Sequence, residues 1–81
     1  STSKTLNNLA VLFQRVGKYK DSENYSLQSL AINEKTVGPN HPDTAASLLN
    51  LGALLMGLGR KEEAEKFLLR ALPIFEQSLG A

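Results

Sequence analysis

Leu6, Leu9, Ala10, Phe13 and Val16 recur three and four positions apart, the spacing that gathers side chains on one face of an α-helix. Gly17 follows at once and supplies the left-handed residue that commonly ends a helix. The next run reads as a second helix from about Lys20 to Thr36, stopped before Gly38-Pro39. The scheme then starts again. Leu48, Leu51, Gly52, Leu55 and Leu58 define a third helical face, Gly59 ends it, and a fourth helix runs from about Lys61 to Leu79. Connections this short force each pair of helices to pack antiparallel. The pattern predicts an all-α chain of two tandem helix-turn-helix units, residues 1–42 and 43–81.

The two units are copies. At an offset of 42 residues, LNNLAVLFQRVGK (from Leu6) falls on LLNLGALLMGLGR (from Leu48), and ENYSLQSLAINEKTVG falls on EKFLLRALPIFEQSLG. Identities include Leu6/Leu48, Asn8/Asn50, Leu9/Leu51, Gly17/Gly59, Ile32/Ile74, Glu34/Glu76 and Gly38/Gly80. Chance rarely sets so many matches, helix-ending glycines among them, at one offset.

Between the units lies GPNHPDTA, which holds the chain's one histidine, His41. Gly38 and Pro39 stop a helix, and Asn40 or His41 can cap the next. Pro42 suits a first helical position, where its missing N–H costs nothing. Asp43 in the first turn complements the positive end of the helix dipole. Each residue has a structural task, so the segment reads as a joint rather than a catalytic centre, and no catalytic residue is assigned.

A helix-turn-helix unit with Leu, then Leu-Ala or Leu-Gly, then an aromatic, then Gly resembles a tetratricopeptide repeat. The 42-residue period and the GPNHPDTA connector are similar to a longer subclass known from kinesin light chains. The resemblance implies an α-solenoid scaffold that binds proteins or peptides without catalysis. The chain departs from that pattern at Ser22, Ser26 and Ser29, where small or apolar residues are expected, as Ala64, Leu68 and Ala71 are in the second unit. Hydroxyls bonding back to the carbonyl four residues earlier would let the stripe be buried as a weakened interface. A polar contact surface is the other reading. Pro73, on the outer side of the last helix with Leu69, predicts a bend rather than a break.

At about 100° per residue, Lys4, Asn7, Asn8, Val11, Gln14 and Arg15 share the side of the first helix opposite its core face. Ala46, Leu49, Asn50, Ala53, Met56 and Gly57 form the equivalent row in the second unit. The resemblance implies that these rows line a concave groove, with Asn8 and Asn50 hydrogen-bonding the backbone of an extended peptide. Lys4 and Arg15 would hold an acidic side chain or carboxylate. Leu49, Ala53 and Met56 make an apolar strip suited to irregular partners. Solvation alone is the competing explanation for such surface residues. Lys18, Lys20, Arg60 and Lys61 stand among Asp21, Glu62 and Glu63 and read as a mixed rim.

Charge changes the picture little. Nine Lys and Arg against eight Asp and Glu leave +1, no general drive toward nucleic acid or anionic lipid. The scattered aromatics form no stacking platform. There is no cysteine, which excludes disulfides and thiolate metal sites and fits a reducing, cytoplasmic compartment. One histidine cannot build a usual zinc site, and no phosphate-cradling loop is present, so no metal or cofactor is expected. No apolar run approaches a membrane span, and STSKTLNNLA lacks the features of a secretory signal.

The repeat phase sets Ser1 opposite Asp43 and Ala81 opposite Pro39, the expectation for a segment of a longer array. Solenoids cover their terminal helices with polar caps, yet the last helix carries Phe67, Leu68, Phe75 and Leu79 with nothing to follow. Two functions therefore remain open. One is a peptide- or protein-binding module. The other is a structural segment that self-associates into a homo-oligomer through its uncapped apolar faces.

Overall fold

The computed structural model describes residues 2–80, so Ser1 and Ala81, used above to phase the two ends, lie outside the described residues. Four helices follow in order: α1 (Ser3–Arg15), α2 (Tyr19–Thr36), α3 (Pro42–Gly57) and α4 (Lys61–Gly80). No strand occurs among the described residues. α1 packs on α2, α3 on α4, and α3 also packs on α2 and touches α1, while α4 lies against α3.

The turns inside each pair are the same device used twice. Gly17 has φ 84° and Gly59 φ 81°, the left-handed region that costs other residues a clash at Cβ. There the N–H of Gly17 donates to the Gln14 carbonyl (3.1 Å) and that of Lys18 to the Phe13 carbonyl (2.8 Å). Gly59 and Arg60 repeat the pair on the carbonyls of Met56 (3.1 Å) and Leu55 (2.9 Å). This Schellman arrangement satisfies carbonyls that the helix end would otherwise leave free. Val16 and Leu58 are the C-cap residues of these helices, past the last covered turn. The apolar spacing predicts both on the core face, and both are exposed for that reason.

The connector behaves as a joint. His41 is the N-cap of α3, its Nδ1 accepting from the Asp43 N–H at 3.0 Å, with Pro42 opening the helix. Thr44, fully buried, donates its hydroxyl to the Gly38 carbonyl at 2.6 Å and ties the end of α2 to the start of α3.

Leu48, Leu51, Leu54 and Leu55 of α3 are buried almost completely, and Leu30, Ala64, Ala71 and Ile74 join three of them in one core cluster. Burying a leucine of this kind stabilises the fold by about 1.5–3 kcal/mol. Phe67 and Phe75 pack against the cluster's edge, while Leu79 stays exposed. In the first unit Phe13 stacks on Tyr25 with ring centroids 5.3 Å apart. Gly52 lets α3 and α4 approach, since a Cβ there would stand 2.6 Å from Leu68 Cδ2. Its counterpart Ala10 is also small, and its carbonyl accepts from Ser22 of α2. α4 runs unbroken through Pro73, which is exposed together with Leu69.

The serines correct an expectation. Ser22, Ser26 and Ser29 are all buried, but Ser22 and Ser29 do not bond back along their own helix. Ser22 Oγ donates to the Ala10 carbonyl of α1 at 2.7 Å, and Ser29 Oγ to the Ser3 carbonyl at 2.9 Å. α1 comes close enough to offer better-placed acceptors than the turn below, so these hydroxyls cross-link the first helix pair rather than weaken it.

Candidate functional site

Ser47 of α3 is the centre of the joint between the two units. Ser29 spends its single proton on the Ser3 carbonyl, so Ser47 must donate in the 2.9 Å contact between the two hydroxyls. Ser47 Oγ then accepts from Asn33 Nδ2 at 2.9 Å and from Asn7 Nδ2 at 3.3 Å. Asn33 Nδ2 also donates to the Asp43 carbonyl at 3.0 Å. Asn7 Oδ1 is buried and has no partner among the described residues.

Asn7 therefore differs from its neighbours in the row read from the sequence. It turns into the contact between α1 and α3 and is half-buried. Two recesses open along that line between the first helices of the units. One, of about 310 Å³, is bounded by Lys4, Asn7, Asn33, Asp43 and Ala46. The other, of about 390 Å³, is bounded by Val11, Gln14, Arg15, Tyr19, Leu54 and Gly57. Five of the six α1 residues in the row thus edge one or the other of these recesses. Asn8 and Ala53 are exposed and Asn50 is half-buried.

Leu49 and Met56 point elsewhere. They line a cleft of about 440 Å³ with Leu68, Leu69, Leu72 and Phe75 of α4, on the side of the second unit facing away from the first. Sequence periodicity placed them with Asn50 because it resolves faces of one helix, whereas the cleft exists only once α4 is packed beside α3.

Charge is concentrated at the rim where the turns meet. Arg60 reaches Glu63 with two guanidinium nitrogens and Glu23 of α2 with a third, at 3.1 Å. These bonds, the one to Glu63 first, raise the guanidinium further above its usual range and hold the Glu63 carboxyl below the usual carboxylate range. Arg70 Nη2 donates to Glu34 at 2.8 Å, a second link from the second unit back to α2. Both pairs are solvent-accessible and serve register more than stability.

Among the described residues no cluster of His, Cys, Asp or Glu could hold a metal ion. No described helix is long and apolar enough to cross a membrane.

No curated protein matches the chain. A family profile described as Tetratricopeptide repeat matches residues 1–77, across both helix pairs and the connector between them. Duplicated antiparallel helix pairs, joined through a capped turn and matched along nearly their whole length, place this chain in the tetratricopeptide-repeat family.

Proposed function

We propose that the chain is a non-catalytic scaffold module that holds an extended peptide along the exposed row of α1 and α3. Tetratricopeptide repeats are generally protein-interaction scaffolds, and this reading names the surface and the contacts. The observation that carries it is the pair of recesses between α1 and α3, one edged by Lys4 and Asn7 and the other by Val11, Gln14 and Arg15, with Asn8 and Asn50 on the same helices at the repeat offset. An amide offers both donors and acceptors, which suits the alternating groups of a peptide backbone. Lys4 and Arg15, one at each recess, favour an acidic segment, and exposed Ala53 of α3 offers an apolar contact.

The 42-residue period and the GPNHPDTA connector support placing the chain in the longer subclass known from kinesin light chains, with residues 1–42 and 43–81 as its two repeats. The absence of cysteine supports a cytoplasmic setting. His41 supports the non-catalytic reading, since its Nδ1 is engaged as a helix cap.

A peptide array screened with wild type and with Asn8→Ala/Asn50→Ala tests the proposal. Acidic peptides retained by wild type and lost by the variant are expected. Equal binding by both proteins removes these asparagines from the site.

A further inference from the structure

Asn7 Oδ1 is the one buried side-chain atom left without a hydrogen-bond partner among the described residues, and the protons around it explain why. Ser29 gives its proton to the Ser3 carbonyl, and Ser47 gives its own to Ser29. Ser47 Oγ can therefore only accept from Asn7, which must turn its nitrogen to Ser47 and its oxygen away. Reversing the amide would set two acceptors face to face at 3.3 Å.

Asn33 is fixed in the same way. Both hydrogens of its Nδ2 are committed, one to the Asp43 carbonyl at 3.0 Å and one to Ser47 Oγ at 2.9 Å, so only its oxygen is left to offer. Asp43 adds an exposed carboxylate, which only accepts, and Lys4 an exposed ammonium, which only donates. These four side chains bound one recess of about 310 Å³ between α1 and α3. A buried amide oxygen without a donor costs stability, and here it borders open space.

Three kinds of ligand group can be set against that lining. A carboxylate brings no N–H, leaves Asn7 Oδ1 without a donor and meets Asp43 as a like charge. An ammonium or guanidinium brings N–H groups but no acceptor for Lys4, whose charge opposes it. A primary carboxamide is neutral and carries two N–H donors beside a carbonyl. We propose that this recess binds the carboxamide of a ligand glutamine or asparagine, with its N–H groups on Asn7 Oδ1 and the Asp43 carboxylate and its carbonyl on Lys4. Resting on the groove reading above, this subsite sets an amide residue at one end of the bound segment. The acidic part falls to the other recess, where Arg15 stands with no carboxylate among the lining residues. The repeat equivalent of Asn7 is Leu49, so the chain carries this subsite once.

An NMR titration of the 81-residue chain with N-acetylglutamine methylamide tests it, against the glutamate, lysine and alanine analogues, which share the same two backbone amides. The glutamine probe is expected to shift the Asn7 side-chain signals and to saturate at millimolar concentration, with the other three weaker by about fivefold or more. Asn7→Leu, checked for folding by circular dichroism, is expected to lose that preference. Asp43→Asn, at an exposed position, is expected to bind the glutamate probe more tightly than wild type does, because the like charge is gone. No saturating shift at Asn7, equal affinity for the four probes, an Asn7→Leu chain that keeps the preference, or an unchanged glutamate affinity in Asp43→Asn overturns the subsite. None of these readouts involves Asn8 or Asn50. A glutamine response beside equal array binding by wild type and Asn8→Ala/Asn50→Ala keeps the subsite and removes those asparagines, whereas array binding without a glutamine response keeps the groove and overturns the subsite.

Discussion

The hydroxyls of Ser29 and Ser47 face each other at 2.9 Å across the joint between the two helix pairs, both fully buried. Ala71, the repeat equivalent of Ser29, has no hydroxyl with which to make such a contact. The first unit thus receives its neighbour through directional bonds, while the second offers a greasy cleft. Duplication preserved the helices and left the two contact surfaces chemically different.

Ser47→Ala should cost more stability than Ser29→Ala. The first takes a partner from Ser29, Asn33 and Asn7 together and leaves Asn7 Nδ2 without one, a loss of about 1–3 kcal/mol for a stranded polar group. The second leaves Asn33 and Asn7 bonded to Ser47. Urea unfolding followed by circular dichroism gives the order, and the same method should show Ser22→Ala/Ser29→Ala to be destabilising, because both hydroxyls bridge to α1.

Gly52→Ala should destabilise by about 1–3 kcal/mol despite the better helix propensity of alanine, since the new methyl meets Leu68 at 2.6 Å. With Leu68→Ala in the same chain the side-chain clash disappears and only the 3.3 Å approach to the Ala64 carbonyl stays, so a double-mutant cycle should show a coupling of about 0.5 kcal/mol or more between the sites. Additive effects would mean that α3 and α4 part easily.

Two glycines near each other should respond with opposite signs. Gly57 closes α3 with open space where a methyl would stand, so Gly57→Ala should raise stability by about 0.4–1 kcal/mol. Gly59 holds φ 81°, and Gly59→Ala should lower it by about 1–2 kcal/mol. Thermal melts of the two variants separate the effects.

Glu63 should titrate below an ordinary glutamate, and Arg60→Ala should bring its midpoint up toward the usual range, read from side-chain carboxyl shifts in an NMR titration. A carboxyl depressed in the folded state contributes stability that is present above its unfolded midpoint and lost as pH falls through the folded one. Loss of stability on acidification should therefore be shallower in Arg60→Ala. High salt should shrink the difference, because the pair is exposed.

The helices were legible because their signals are local. Apolar spacing and Gly17, Gly38 and Gly59 fixed turns and ends to within a residue or so, and His41-Pro42 announced the start of α3. What escaped was everything that depends on a neighbour. Leu12 and Leu54 are the same residue at the same position of the repeat, yet one is exposed and one buried, because among the described residues only the second has a helix pair packed before it. The serine partners depended on how closely α1 approaches α2, which no spacing encodes. Leu49 and Met56 shared a helical row with Asn50, but α4 turns that edge of α3 into a separate cleft. Within the α1 row, Asn7 is indistinguishable from Asn8 by type, and only the position of Ser47 draws it inward.

α3 packs its backbone against every other helix, whereas α4 packs on α3 from one side and reaches α2 only through exposed side-chain pairs such as Arg70–Glu34. Its amide hydrogens should consequently be the last to exchange with deuterated solvent, with those of α4 exchanging through partial openings that leave the first pair intact. Either flank can peel away without dissolving the centre, so the molecule loses its structure from the edges inward.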